Sequence, residues 1–296
     1  MNLRDLRYLV ALADLRHFGR AADRCAVSQP TLSAQLKKLE DYLGVVLVER
    51  QPRNVMLTPV GEAVVTRARR LLQESDDILE IARSSRDPLA GSLRVALIPT
   101  LGPYLLPLLA PKLRKRLPRL QLMLYEYQTA QLVEQLTNGE LDVGILALGV
   151  DIEGLESREL AEEAFTVALP AQHPLAKKTS FRMEDLDDAT LLLLEDGHCL
   201  RAHALEACSR IRVHESGDFR ATSLETLRQM VAAGHGITLL PELATRGPFA
   251  AAKNPVIRPF AKPAPYRIIG AVWRRSSSRL AAIEAICSVV TEVLAG

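Results

Sequence analysis

Four cysteines are spread along 296 residues, at positions 25, 199, 208 and 287, with no CxxC or CxxxC spacing. In a reducing compartment they do not read as a structural disulfide framework. Two of them still sit where thiol chemistry is possible, in LLLLEDGHCLRAHALEAC over 191–208. Cys199 follows Gly197-His198 at the end of a predicted buried strand and the start of a predicted helix. A helix N-terminus favours negative charge, and the flanking His198 and Arg201 add positive potential, so the setting favours a thiolate. Cys208 lies nine residues further on. Held in one helix, the two Cα atoms stand ~13.5 Å apart at ~1.5 Å rise per residue. A disulfide needs them within about 7 Å. A bridge therefore requires the segment to unwind, and one covalent bond would then select a second conformation of 199–208. The spacing alone leaves two other readings open. One is a pair of inert buried thiols. The other is a zinc site from Cys199, His203 and Cys208, although the paired C-x-x-C knuckle is absent.

The elements that must position these thiols alternate in type. From Leu93 onward the pattern predicts strands at 93–98, 121–127, 141–148, 164–169, 190–194, 236–240 and 267–273. Helices are predicted between them, among them 130–137, 199–209 and 222–233, with a last one at 278–294. Continuous apolar strands alternating with helices predict the α/β class with a parallel sheet. A stretch of roughly 200 residues is large for one such unit, so two lobes are expected. Cys287, among Ile283, Ile286 and Val290, reads as core, as does Cys25 among Ala21, Ala22 and Val27. His17, His173, His214 and His235 have no partners that the sequence assigns.

The first 58 residues are of another kind. A helix at 2–15 places Leu3, Leu6, Leu9, Val10 and Ala13 on one side. A short helix at Gly19–Cys25 and a tight Ala26-Val27-Ser28 turn follow. Ser28-Gln29-Pro30 then opens a further helix, with Ser28 as N-cap. On that helix Leu32, Leu36, Leu39 and Leu43 share one face and must be buried. The opposite face shows Pro30, Ser33, Ala34, Lys37 and Lys38, which are small or basic. Such a face fits a major groove about 12 Å wide, with polar side chains near the helix start reaching base edges. The segments 45–50 and 55–59 flank Gln51-Pro52-Arg53-Asn54 and read as a hairpin with a polar tip, a wing that brings Arg50 and Arg53 to the phosphates. Thr58-Pro59 opens one long helix over 59–87. Along it Val64, Ala68, Leu71, Ser75, Ile78 and Ala82 form a modest heptad seam, which suits dimerisation. The bland alternative is a helical bundle whose basic face is merely solvated.

Composition sets the outer bounds. Hydrophobic residues make up 48% and charged residues 24%, an ordinary globular balance that excludes a disordered or fibrous chain. No run of ~18 uncharged apolar residues occurs, so no membrane span is expected. The N-terminus mixes charges into its apolar residues at helical spacing and lacks a small-residue cleavage site, so it reads as structure rather than a signal peptide, and a cytoplasmic location is expected. Net charge is only +2. Residues 1–58, however, carry nine Lys/Arg against six Asp/Glu, so the basic excess is concentrated there while the rest of the chain dilutes it.

The segment HFGRAADRCAVSQPTLSAQLKKLEDYLGVVLVER, followed by LTPVGE, resembles the winged helix-turn-helix of the LysR-type transcriptional regulators, and the similarity continues to the end of the chain. The resemblance implies a DNA-binding domain at 1–58, a linker and dimerisation helix at 59–87, and a regulatory domain at 88–296. That last domain is expected to be two-lobed like periplasmic binding proteins, with lobe I at 88–162 plus 268–296 and lobe II at 163–267. Gln29, Pro30, Thr31, Ser33, Gln35 and Lys37 are then expected to face promoter DNA, and Arg4, Arg50 and Arg53 to meet phosphates or a groove. A homo-oligomer, dimer or tetramer, and RNA polymerase are the implied protein partners.

LLLEDGHCLR, IPTLGPYLLP (98–107) and FRATSLETLRQMVAAGHGITLLPELA (219–244) are similar to the peroxide-sensing members of that family. By this resemblance Cys199 is the peroxidatic thiol and Cys208 the resolving one. Thr100, Thr129 and His198 hold the peroxide, and Arg267 supports the charge that thiolate attack leaves behind. No cofactor or metal is implied; hydrogen peroxide is the signal, antioxidant genes are the targets, and cellular thiol reductants reset the switch. An Asp commonly follows the Arg in GHCLRD-type segments, whereas Ala202 and His203 stand here, which removes any proton relay through position 202. Two competing functions remain: a regulator that binds a small metabolite in the interlobe cleft, and a thiol peroxidase.

Overall fold

The computed structural model describes residues 1–51, 54–84, 87–246 and 255–295, except the side chains at 50, 51, 54, 77, 79–84 and 217–219. The chain divides into two compact units, Met1–Arg86 with Asn138–Glu140, and Asp87–Thr137 with Leu141–Gly296.

In the first unit α1 (Leu3–Leu15) starts at a capping box between Asn2 and Asp5. Next come α2 (Phe18–Arg24) and α3 (Gln29–Leu43), which Gly44 ends in the left-handed conformation at φ 69°. His17, without an assigned partner in the sequence, caps α2 by accepting the Arg20 N–H on Nδ1. Leu6, Leu9 and Leu12 of α1 meet Leu32, Leu36 and Leu39 of α3 in one core. The expected α1 stripe is shifted: Leu3, in the exposed first turn, lies outside the core, and Tyr8 and Leu12 are inside it. Asp14 on α1 binds Arg24 on α2 and Arg69 on the long helix, at 2.8 and 2.6 Å, tying three helices together.

Strands β1 (Val48–Gln51) and β2 (Asn54–Leu57) pair antiparallel as the wing. They are shorter than expected, because Val45 and Val46 are exposed and precede the ladder. Glu40 of α3 fixes the wing by accepting the N–H groups of Leu47 and Val48. Helix α4 (Pro59–Ser84) begins as expected, its Thr58 hydroxyl accepting the Gly61 N–H; it does not reach the predicted end at 87, since Asp87 is outside any helix. Of the heptad seam, Ala68 is buried in this unit's own core, whereas Leu71 and Ile78 are exposed.

The second unit is α/β, but its main sheet is mixed rather than parallel. Strands β3 (Gly91–Leu97), β4 (Leu120–Glu126) and β5 (Val143–Ala147) run parallel, with α5 (Gly102–Arg116) and α6 (Thr129–Thr137) as crossovers. Strand β6 (Leu155–Leu169) starts nine residues before its predicted position. Its first half, LESRELAEE, lacks a continuous apolar run because much of it faces solvent. Beyond it come β7 (Ala189–Leu194), α7 (Cys199–Ala207), β8 (Val213–Ala221), α8 (Leu224–Ala232), β9 (Thr238–Pro241), β10 (Val256–Pro259), β11 (Tyr266–Arg274) and α9 (Leu280–Ala295). The polar β8 and the four-residue β10 went unpredicted; β8 pairs in parallel with β7 alone.

Strand β11 pairs with the first half of β6 and with β5, while β9 and β10 pair with the second half of β6. The long strand thus has β11 as partner along its first half and β9 and β10 along its second. Among the described residues no helix is long and apolar enough to cross a membrane.

Leu36 is 1% exposed at the centre of the first unit's core. Leu36→Ala should cost about 2–5 kcal/mol, seen as a lower denaturant midpoint for that unit with an unchanged slope.

Candidate functional site

The site forms where the carboxyl ends of β3, β4 and β5 face α7. Open α/β sheets leave a crevice at such ends, since each chain segment turns away there toward its helix. Thr100 follows β3, Thr129 opens α6, Leu148 follows β5, and Cys199 is the first residue of α7. The turn into α7 depends on Gly197, whose φ is 99°. A side chain there would also stand 2.7 Å from the Gln128 Oε1.

Arg267 is the fixed charge of the site, with its side chain fully buried. It lies opposite Glu163 in the β11–β6 register, just before β6 passes from pairing with β11 to pairing with β9 and β10. Its Nε donates to Glu163 Oε2 at 2.8 Å, and a second guanidinium nitrogen stands 2.7 Å from the same oxygen. Two more bonds reach Thr100, at 2.9 Å to the hydroxyl and 3.2 Å to the carbonyl. The other Glu163 oxygen accepts the Leu243 N–H at 3.0 Å. A buried guanidinium with this many acceptors is held in one orientation.

Cys199 is buried, and burial alone would raise its thiol pKa. The polar side chains of His203 and Thr129 beside it, with the charges of Arg267 and His203, outweigh burial, and the thiol is held below the ordinary 9.0. The stabilising cations are therefore not those expected. Arg201 turns away and forms a two-bond fork with Glu215 at 2.5 and 2.8 Å and a bridge to Asp196 at 3.1 Å. His198 is buried beside Gln128, at 3.3 Å, and its pKa is lowered, chiefly by that burial. It is a neutral polar group rather than a source of charge.

Cys208 caps the C-terminal end of α7 and is a free, buried thiol pushed up to about 11 by burial. The two cysteines are at opposite ends of one helix, facing opposite electrostatic conditions. Cys287 is likewise pushed up to about 11, and Cys25 is raised, both chiefly by burial. Among the described residues no group of three or more His, Cys, Asp or Glu converges as a metal site, so Cys199, His203 and Cys208 do not form the zinc alternative.

The structure thus gathers Thr129, Arg267 and, through Arg267, Thr100 around Cys199, with His198 next in the chain. Two participants were missed. His203 was legible only as a metal ligand one turn after Cys199, and Glu163 gave no signal, since its role comes from a strand register. Ala202 is exposed.

On the first unit, Gln29, Pro30, Thr31 and Lys37 are exposed along one side of α3, and Ser33 and Gln35 are half-buried. Thr31 shares its hydroxyl with the Ser28 cap at 2.8 Å. Arg4 is exposed on α1. Arg50 lies in β1, but its side chain is outside the described part, and Arg53 lies outside the described residues.

Residues 3–62 match the bacterial regulatory helix-turn-helix model of the lysR family, and residues 86–295 match the LysR substrate binding domain. The chain belongs to the LysR family of transcription regulators. It is 50% identical over 277 residues to the DNA-binding transcriptional dual regulator OxyR of Escherichia coli K12, spanning 94% of this chain and 90% of that one. Among solved structures it resembles a full-length OxyR variant from Pseudomonas aeruginosa, with 43% identity, a TM-score of 0.79 and coverage of 98% and 94%. It also resembles an H2O2-bound OxyR mutant from Corynebacterium glutamicum, with 34% identity, a TM-score of 0.67 and coverage of 99% and 92%.

Removing the counter-ion of a buried charge is costly. Glu163→Gln should destabilise the second unit by about 3–5 kcal/mol, read as a drop in its thermal unfolding temperature.

Proposed function

We propose that this chain is a sequence-specific transcription regulator switched by hydrogen peroxide through a reversible Cys199–Cys208 disulfide. The observation that carries this reading is the contrast along α7: a Cys199 thiol held down despite burial, and a Cys208 thiol held up by it. Thiolates attack peroxide and thiols do not. Cys199 therefore reacts first, while Cys208 stays protonated and packed.

The Cys199 sulfur attacks one peroxide oxygen, the O–O bond breaks, and the departing hydroxide takes a proton to become water. The product is a sulfenic acid. Thr129 Oγ1 is buried without a hydrogen-bond partner, which supports a small polar ligand beside it. Thr100, His198 and Arg267 complete the set that orients peroxide and stabilises the charge on its leaving oxygen. Cys208 then displaces water from the sulfenic acid, forming the S–S bond. For this α7 must unwind, because its ends are too far apart for a bridge. A bridge formed against that packing is reducible, so cellular thiol reductants reset it. No cofactor takes part.

On the first unit α3 reads promoter DNA through Gln29, Pro30, Thr31, Ser33, Gln35 and Lys37, with Arg4, Arg50 and Arg53 at the backbone. The exposed Leu71 and Ile78, seven residues apart on α4, support a homo-oligomer that places two such heads on paired half-sites. RNA polymerase is the partner that reads the change, at antioxidant genes.

The test combines disulfide mapping with promoter footprinting after one equivalent of peroxide. Cys199→Ser should neither form a bridge nor shift the footprint. Cys208→Ala should consume peroxide and accumulate sulfenic or over-oxidised Cys199. A footprint that still shifts in Cys199→Ser would replace this reading with a metabolite-binding one. Separately, Lys37→Ala should weaken binding to all DNA sequences and lower the salt slope by about 1; an unchanged slope removes Lys37 from the interface.

A further inference from the structure

We propose that His203 is a catalytic residue of the thiol chemistry, taking the Cys199 proton on Nδ1 and delivering it to the departing peroxide oxygen. Three observations converge on its ring. First, His203 is four residues after Cys199 on α7, so the two side chains lie one above the other on the same helix face. Second, its Nε2 is 3.0 Å from the Leu148 carbonyl oxygen. A carbonyl only accepts, so Nε2 carries the hydrogen, and the neutral ring must present a bare lone pair at Nδ1. Third, Nδ1 is buried and completes no hydrogen bond of its own. A buried acceptor next to an acidic S–H has one obvious proton to take.

The electrostatics agree with this geometry. The Cys199 interaction raises the His203 pKa against the lowering effects of burial and Arg267, while His203 helps to lower that of Cys199. The titratable and charged groups acting on the pair are Arg267 from β11 and each other, with the Thr129 hydroxyl from α6. Both shifts favour passage of the proton from the Cys199 sulfur to the His203 ring. His203 also lines, with Arg267, a cleft of about 430 Å³ bounded by Gly149 and Tyr266.

The proton balance closes. Cys199–SH and neutral His203 become thiolate and imidazolium. The thiolate forms an S–O bond as the O–O bond breaks, and the second oxygen leaves with the electron pair. The imidazolium Nδ1–H protonates it, giving water and restoring neutral His203. The delivery step rests on the peroxide reading above; the thiol activation does not.

Two measurements separate them. Thiolate absorption, taken as wild type minus Cys199→Ser, titrates Cys199 without any peroxide. In His203→Gln, which keeps a donor toward Leu148, and in His203→Asn, which keeps an acceptor at the Nδ1 position, the Cys199 midpoint should move up toward the ordinary thiol value. The rate of peroxide oxidation at neutral pH should fall about 10²-fold and keep rising with pH where the wild type has levelled off. By reciprocity the His203 imidazole, followed by nitrogen-detected NMR, should titrate lower in Cys199→Ser than in the wild type, and this arm needs no His203 variant to fold. An unmoved Cys199 midpoint in a folded His203 variant, or an unmoved His203 titration in Cys199→Ser, overturns the assignment. A shifted midpoint with a wild type that ignores peroxide leaves activation standing and overturns the delivery step together with the peroxide reading.

Discussion

The Arg267 guanidinium is out of water, and most of the site follows from keeping it satisfied. An uncompensated buried charge costs several kcal/mol. Here compensation comes from a cross-strand carboxylate and from both the hydroxyl and the carbonyl of one threonine. Because Glu163 faces Arg267 just before β6 changes partners, the ion pair fixes the register of the two strands there. Because Thr100 is bound as well, the end of β3 is fixed against β11. The fixed charge then acts on Cys199 without needing to reorganise. Removing the pair would take away the Arg267 charge while leaving His203 and Thr129 beside the sulfur.

Helix α7 carries a conflict between packing and chemistry. Leu200 and Ala204 bury one face of it in the core, and Cys208 is packed at its far end. At its start the Cys199 sulfur is stabilised as an anion by groups from β11, α6 and the helix itself. The folded helix therefore holds the lowered thiol and the raised one at opposite ends, out of bonding reach. Both conditions come from one element, and only a local opening of that element can join the two sulfurs. Local opening draws on regions with few anchoring contacts, and α7 is held across the cleft by the His203 bond to Leu148.

Much of this was legible in the residues. The strand-to-helix transition at Gly197-His198-Cys199, the nine-residue spacing to Cys208, the Ser28 and Thr58 caps and the Leu32/Leu36/Leu39 stripe all follow from local rules, and the structure repeats them. What failed depended on tertiary pairing. The charged half of β6 and the polar β8 are strands because partners exist for them, and no periodicity in LESRELAEE or VHESGDFRA announces those partners. Likewise Arg201 looked like the cation nearest Cys199 in sequence. Helical geometry and Glu215 turn it outward, while Arg267, sixty-eight positions away, supplies the charge.

That exchange of one arginine for another has a consequence for how the thiol is tuned. A partly solvated Arg201, committed to Glu215 and Asp196, would act at a boundary where salt screens it. A fully buried Arg267 is screened far less, so the thiolate's stability is set by the protein interior rather than by ionic conditions. The same holds for His203, whose Nε2 is committed to Leu148 and whose Nδ1 is shut away from water. Ala202 is exposed and carries no charge, so it can contribute neither. The polar side chain on this stretch of α7 therefore stands at 203, on the helix face that carries Cys199, and not at the exposed position 202. In an α-helix a single position is about 100° of rotation, enough to exchange bulk water for the reacting atom.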